Sequence, residues 1–200
     1  LSVEPQMTLS DDEKALIEKR RVLPVSGRDF FVFAYGSLMW RPDFPFLEIE
    51  PATLYGYHRA FCITSTHYRG TLEHPGLVLG LDRGGKCIGR LYHIAAKDAA
   101  DVAEYLHQRE LITGCYEPKQ VILHLSEGRK RHGIAYVADR AHYQYAGKLS
   151  DEQVARVIRH AVGVNGSNRE YLRNTVKHLE DMGIADGRLH RILKLLEQPE

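Results

Sequence analysis

Phe30-Phe31-Val32-Phe33-Ala34-Tyr35-Gly36-Ser37 is the stretch from which this fold is read. It is aromatic and β-branched, the composition of a buried strand, and it stops abruptly at a Gly-Ser pair. We read residues 29–37 as one strand. Working outward, a second strand is predicted over about 52–64, with Tyr55, Tyr57, Phe61 and Ile63, and a third over 76–81. Asp82-Arg83-Gly84-Gly85 has the composition of a hairpin turn, which predicts a separate fourth strand through 87–94. The period then changes. Ala99, Val102, Ala103 and Leu106 recur at helical spacing, so an amphipathic helix is predicted over about 97–109, with Gly114 ending it. Two further strands are predicted near 119–125 and 133–138.

The flanks read as helices. Ser10-Asp11-Asp12-Glu13 has the form of a capping box and opens a short helix through about Lys19. Pro24, Ser26 and Gly27 then break the chain. Ser150-Asp151-Glu152-Gln153 and Ser167-Asn168-Arg169-Glu170 are two more such boxes, and a last helix carries Leu189, Ile192, Leu193 and Leu196. Strands, a helix, more strands and then helices do not alternate as a doubly wound parallel sheet requires. The order predicts an α+β fold with a compact, barrel-like sheet flanked by helices. We divide the chain into an N-terminal extension with a short helix, 1–27, and a single domain, 28–200, ending in a helical region. Met7 is a possible alternative start.

Composition narrows the function. Apolar residues make up 44 % of the 200, enough for a sizeable core and too many for a disordered chain. The 27 basic and 26 acidic side chains leave a formal charge of +1, so no electrostatic footprint for nucleic acid or an anionic membrane is expected. The basic run Gly128-Arg129-Lys130-Arg131-His132 reads as solvated surface. Three cysteines, Cys62, Cys87 and Cys115, are an odd number without a Cys-x-x-Cys pair. They argue against a disulfide framework and a structural zinc site and fit the cytoplasm. No apolar run approaches the ~18 residues of a membrane span.

Glu110 stands out among candidate catalytic residues. It follows Leu106, Ala103 and Ala99 on one helical face, so a carboxylate ends the core-facing stripe. Desolvation there, and the partial negative charge of a helix C-terminus, both raise a carboxyl pKa. Both suit a general base/acid. The competing reading is a Glu paired with neighbouring Arg109. The strand that enters Tyr35-Gly36-Ser37-Leu38 can aim successive backbone N–H groups at one point, a concavity fit for a carboxylate or phosphate; an ordinary tight turn is the alternative. The eleven histidines include no His-x-x-x-His with a suitable acid, so no metal is expected. Gly36-Ser37 lacks the Gly-x-Ser-x-Gly elbow of a serine hydrolase. Cys115, beside Gly114, is read as packing rather than as a nucleophile.

Taken in order, six segments resemble the ChaC-type γ-glutamyl cyclotransferases from near Val32 to about Leu172. They are Phe33-Ala34-Tyr35-Gly36-Ser37-Leu38-Met39-Trp40, Gly56-Tyr57-His58-Arg59-Ala60-Phe61, Ser65-Thr66-His67-Tyr68-Arg69-Gly70-Thr71, Pro75-Gly76-Leu77-Val78-Leu79, Arg109-Glu110 before Gly114-Cys115-Tyr116, and Asn168-Arg169-Glu170-Tyr171-Leu172. Two departures are visible. Glu117-Pro118 stands where the family often has Arg-Thr, and the helix before residue 30 is absent from the shortest members.

The resemblance implies a mixed β-barrel flanked by helices. It also implies cofactor-independent cleavage of glutathione into 5-oxoproline and cysteinylglycine, with Glu110 as catalytic acid/base. Val32, Phe33, Ala34, Tyr35, Gly36, Ser37 and Leu38 would hold the γ-glutamyl group, with Tyr116 and Tyr143 as further pocket residues. Arg41 and Arg69 are candidates for a substrate carboxylate, each equally readable as a surface or structural ion pair. The only partner expected is the small-molecule substrate, the oligomeric state a monomer. The alternatives are a non-catalytic γ-glutamyl-binding or cation-transport regulatory protein, and a cyclotransferase for other γ-glutamyl amines or amino acids.

Overall fold

The computed structural model of the chain describes residues 9–198; Met7 lies outside them. Five strands close into a barrel: β1 (Phe30–Ala34), β2 (Glu48–Ser65), β3 (Gly76–Ile94), β4 (Tyr116–His124) and β5 (Lys130–Ala138), in the order β1-β3-β2-β4-β5. The closing pair, β1 with β5, is parallel, and every other pairing is antiparallel. Around the barrel lie α1 (Asp11–Lys19), α2 (Ala99–Glu110), α3 (Asp151–His160), α4 (Asn168–Asp181) and α5 (Gly187–Glu197). This is the mixed barrel and the α+β class expected from the sequence.

One strand assignment is corrected. No hairpin forms at 82–85. The third and fourth predicted strands are one, β3, which pairs with β2 from Ser65↔Gly76 to Glu48↔His93. Gly84 (φ +103°) and Gly85 (φ +68°) do adopt the left-handed backbone that the turn signal announced. They use it for a bulge: between the pairs Tyr55↔Lys86 and Tyr57↔Arg83, two residues of β3 face one of β2. A bulge bends and twists a strand without ending it, which lets a long hairpin wrap a barrel. Composition specifies the backbone angles there, and only barrel closure decides between turn and bulge.

Other boundaries shift for local reasons. β1 ends at Ala34 rather than Ser37, because Arg59 Nε donates to the Tyr35 carbonyl at 2.5 Å. A 3-10 turn, Ser37–Met39, follows. β4 starts at Tyr116 and β5 at Lys130, both earlier than predicted. The capping boxes at Ser10 and Ser150 form in full. At Ser167 the side chain accepts from Glu170 N–H, but the reciprocal bond of a full box is not formed. A two-strand ribbon, β6 (Val162–Gly163) with β7 (Gly166–Ser167), has no signature in the sequence. It braces the loop after β2: Val164 N–H donates to His67 O at 3.0 Å and Asn165 N–H to Tyr68 O at 3.1 Å.

One continuous apolar cluster joins barrel and helices. Phe33, Leu81, Leu91 and Leu123 from the strands pack with Leu106 of α2, Ile158 of α3, Leu172 and Leu179 of α4, and Ile192 of α5. Each such side chain contributes about 1.5–3 kcal/mol on leaving water. Asn168, fully buried at the start of α4, exchanges two hydrogen bonds with the Leu77 backbone, 2.6 and 2.7 Å. The helical region is thereby locked to the start of β3.

Candidate active site

The end of β1, the end of α2, the start of β4 and the first turn of α4 converge on one mouth of the barrel. They enclose a cleft of about 420 Å³ with a small inner pocket of about 60 Å³. Ser37, Glu110, Tyr116 and Tyr171 line both parts, and Tyr35, Gly36, Leu38 and Leu79 complete the inner one. A Cβ placed on Gly36 would meet nothing within 4 Å. The turn therefore presents open backbone to the pocket, and glycine lets a ligand come close to it.

Glu110 is the last residue of α2, and its side chain keeps 16 % exposure. Ala99, Ala103 and Leu106 on the same face are buried, as the spacing predicts. Desolvation raises the Glu110 pKa, and Arg109 only partly offsets the rise through charge and hydrogen bonding. The helix-end carbonyls act in the raising direction as well. Desolvation and pairing with Arg109 thus coexist at Glu110. It is a desolvated carboxyl, and Arg109 Nε lies 3.3 Å from its Oε1.

Arg109 does more than pair with Glu110. It donates to Arg41 O and Tyr105 Oη, each at 2.7 Å, and to Ser37 Oγ at 3.2 Å. One guanidinium therefore ties the Tyr35–Leu38 turn to the catalytic candidate, a task suited to its fork of five donors. The phenols around the pocket stay protonated. Burial raises Tyr35 and Tyr116 well above the ordinary value and Tyr171 to about 12. They serve as donors rather than bases, and Tyr116 already donates to Leu79 O at 2.7 Å. Burial likewise pushes the Cys115 thiol up to about 11, which disfavours a thiolate nucleophile.

The sequence-expected residues divide. Tyr35, Gly36, Ser37, Leu38, Glu110 and Tyr116 come together. Val32, Phe33 and Ala34 lie buried within β1, their backbone paired with β3 and, at Val32 and Phe33, with β5; they support the turn from beneath and do not line the cleft. Tyr143 is 70 % exposed, lies tilted against the His142 ring and is outside the cleft lining. Its position in a loop after β5 could not be placed without the barrel. Arg41 and Arg69 both line the cleft; Arg69 donates to Asn165 O at 2.5 Å and lies over the Tyr171 ring. Arg109, Gln144 and Tyr171 were not among the sequence candidates. For Tyr171 a signal was present in Asn168-Arg169-Glu170-Tyr171. Among the described residues no group of three or more His, Cys, Asp or Glu side chains is placed to hold a metal ion, and no helix is long and apolar enough to cross a membrane.

Known proteins resemble this chain in sequence and fold. A glutathione-specific γ-glutamylcyclotransferase of Escherichia coli K12 is 37 % identical over 163 residues, covering 82 % of this chain and 71 % of that protein. Mouse glutathione-specific γ-glutamylcyclotransferase 1 is 31 % identical over 185 residues, covering 84 % and 83 %. A crystal structure of a yeast γ-glutamyl cyclotransferase specific to glutathione matches with a TM-score of 0.77 at 25 % identity, over 84 % of this chain and 95 % of that one. The ChaC-like protein family matches residues 30–199. With this match over most of its length, this chain belongs to the ChaC-like family.

Proposed function

We propose that this protein is a cytoplasmic glutathione-specific γ-glutamylcyclotransferase, a lyase in which Glu110 moves the protons. The observation that carries the reading is a desolvated carboxyl at the end of α2 facing an open Gly36 turn in a pocket of small volume. Backbone N–H groups of the Tyr35–Leu38 turn hold the γ-glutamyl carboxylate, and the pocket folds the arm so that its α-amine lies against the γ-carbonyl. The nucleophile belongs to the substrate, so attack is intramolecular and orientation supplies much of the acceleration. An α-ammonium with an ordinary pKa of ~8 must first lose a proton. Glu110 accepts protons from that nitrogen as it closes the five-membered ring. The γ-carbonyl becomes an oxyanion and then expels the cysteinyl nitrogen, which Glu110 protonates. Of the three protons on the α-ammonium, one stays on the ring nitrogen of 5-oxoproline and two end on the ammonium of cysteinylglycine. The three unpaired cysteines support a reducing compartment.

The test is product identity. Incubation with reduced glutathione in the presence of a chelator is expected to give 5-oxoproline and cysteinylglycine in equal amounts. Free glutamate instead would identify a hydrolase, and no product from glutathione or other γ-glutamyl compounds would identify a binding protein.

The pH profile offers an independent check. The base form of Glu110 exists only above its folded pKa, which is raised from 4.5. The acid limb of kcat/KM is therefore expected above pH 4.5. Arg109 opposes the rise, so Arg109→Met is expected to move that limb to still higher pH. A limb that stays in place would remove Glu110 from the proton-transfer role.

A further inference from the structure

We infer that α1 and the residue that follows it act as a buckle across the cleft walls, with Arg20 as a positioning residue for the reaction; this rests on the cyclotransferase reading of the cleft. The segment lies before the family-matched residues, which begin at 30. Its placement is nonetheless specific. Arg20 forms the C-cap of α1, and its side chain is only 12 % exposed. One guanidinium nitrogen, Nη1, donates to both Gly114 O and Tyr116 O; the other, Nη2, meets Asp139 Oδ2 at 2.5 Å. α1 also lies against the Gly114 turn, where a Cβ would come within 3.3 Å of Ile17.

These three acceptors belong to two walls. Residues 111–116 join Glu110 to Tyr116, so they set the distance between two residues of the inner pocket. Residues 139–145 follow β5 and carry Gln144, which lines the cleft and donates to Thr64 O at 3.2 Å. The walls touch directly as well: Asp139 N–H donates to Cys115 O at 2.9 Å, and His142 Nε2 lies 2.9 Å from Thr113 O. Arg20 is the group that grips both from behind. Burial raises the Asp139 carboxyl, but the bonds from Arg20 and Ala141 outweigh it and hold the group below its ordinary range. Asp139 is therefore anionic, and its charge and two carbonyls lose a partner together if Arg20 is removed.

The consequence for catalysis follows from population. With Arg20 absent, the 111–116 wall samples arrangements in which the inner pocket is not formed. Apparent affinity scales with the fraction that is competent, while the chemical step in the bound state is unchanged. If that fraction falls to one in ten, KM rises about tenfold with kcat nearly constant.

The experiment compares full-chain wild type, Arg20→Ala and Arg20→Lys, with KM and kcat for glutathione measured per folded molecule. The expected result is a raised KM for Arg20→Ala at nearly constant kcat, restored by millimolar guanidinium, with Arg20→Lys in between. Lysine keeps the charge toward Asp139 but lacks the fork for two carbonyls. An unchanged KM, or no rescue, overturns the buckle even if thermal stability falls. If Arg20→Ala does not fold, Arg20→Lys carries the comparison. If wild type leaves glutathione intact, the reading of the cleft fails, and amide hydrogen exchange then decides the buckle. Faster exchange confined to 111–116 and 139–145 supports it, and unchanged exchange there overturns it.

Discussion

Glu110→Gln is expected to lower kcat for 5-oxoproline release about 10³-fold with the fold intact, as read by steady-state kinetics. Glutamine keeps the size and one hydrogen-bond acceptor but can neither take nor return a proton. Positioned acid/base groups contribute about 10²–10⁴-fold, and in the proposed mechanism one group serves both ring closure and departure of the leaving amine. KM is expected to change little, because the Tyr35–Leu38 turn and the phenols remain. Near-normal kcat in this variant would sink the assignment.

The same substitution is expected to raise thermal stability at neutral pH. The fold holds Glu110 above its unfolded pKa of 4.5, so burial penalises the charged form. Below 4.5 the group is protonated in both states and no penalty exists. As pH rises through the folded pKa the wild-type chain loses stability that the glutamine variant keeps. The gap in Tm between variant and wild type is thus expected to widen from acid to neutral pH. A carboxyl that destabilises its own fold at a proposed active site fits the common trade-off between stability and activity.

Arg59→Met is the second large effect, and it falls first on stability. Arg59 is 3 % exposed and joins three elements: Nε donates to Tyr35 O at 2.5 Å, Nη2 to Ile88 O at 2.8 Å, and Nη1 pairs with Asp186 Oδ2 at 2.8 Å. Asp186 in turn caps α5 through Leu189 N–H. Methionine fills much of the space but leaves two carbonyls and a largely buried carboxylate without their donor. Breaking one side of such a pair costs about 3 kcal/mol, which for a chain of this size lowers Tm by about 6–12 °C. Activity is expected to fall too, since Tyr35 opens the turn that we propose holds the γ-glutamyl group. Adding Asp186→Asn to Arg59→Met removes the unpaired charge while keeping a capping side chain, so part of the stability is expected to return. An unchanged unfolding midpoint in the single variant would show that Arg59 does not anchor the turn.

How much of this was legible beforehand depended on the range of the interaction. The Ser10 and Ser150 boxes, the apolar stripe of α2 and the aromatic strand at Phe30 are set by residues a few positions apart, and each formed, the strand stopping at Ala34 rather than Ser37. Glu110 was also legible, because a carboxylate that ends an apolar stripe is anomalous within one helix. The 82–85 segment misled because turn and bulge demand the same glycine angles. Arg109 was seen as a neighbour of Glu110, but its bonds to Ser37 and Arg41 cross about 70 positions and leave no periodic trace. Tyr143 is expected in the pocket alongside Tyr116, but the course of the loop after β5 leaves it outside the cleft lining.

The sequence by itself determined the helical or extended character of most segments, the caps at Ser10 and Ser150, the Gly36 turn and the anomalous carboxyl, since propensity and periodicity act through neighbours along the chain. The tertiary structure alone decided that β2 and β3 form one bulged hairpin, that β1 closes on β5 in parallel, and that Arg20, Arg59 and Arg109 each bind elements distant in sequence. Those outcomes depend on where barrel closure brings donors and acceptors together, and a guanidinium chooses its carbonyls by distance in space.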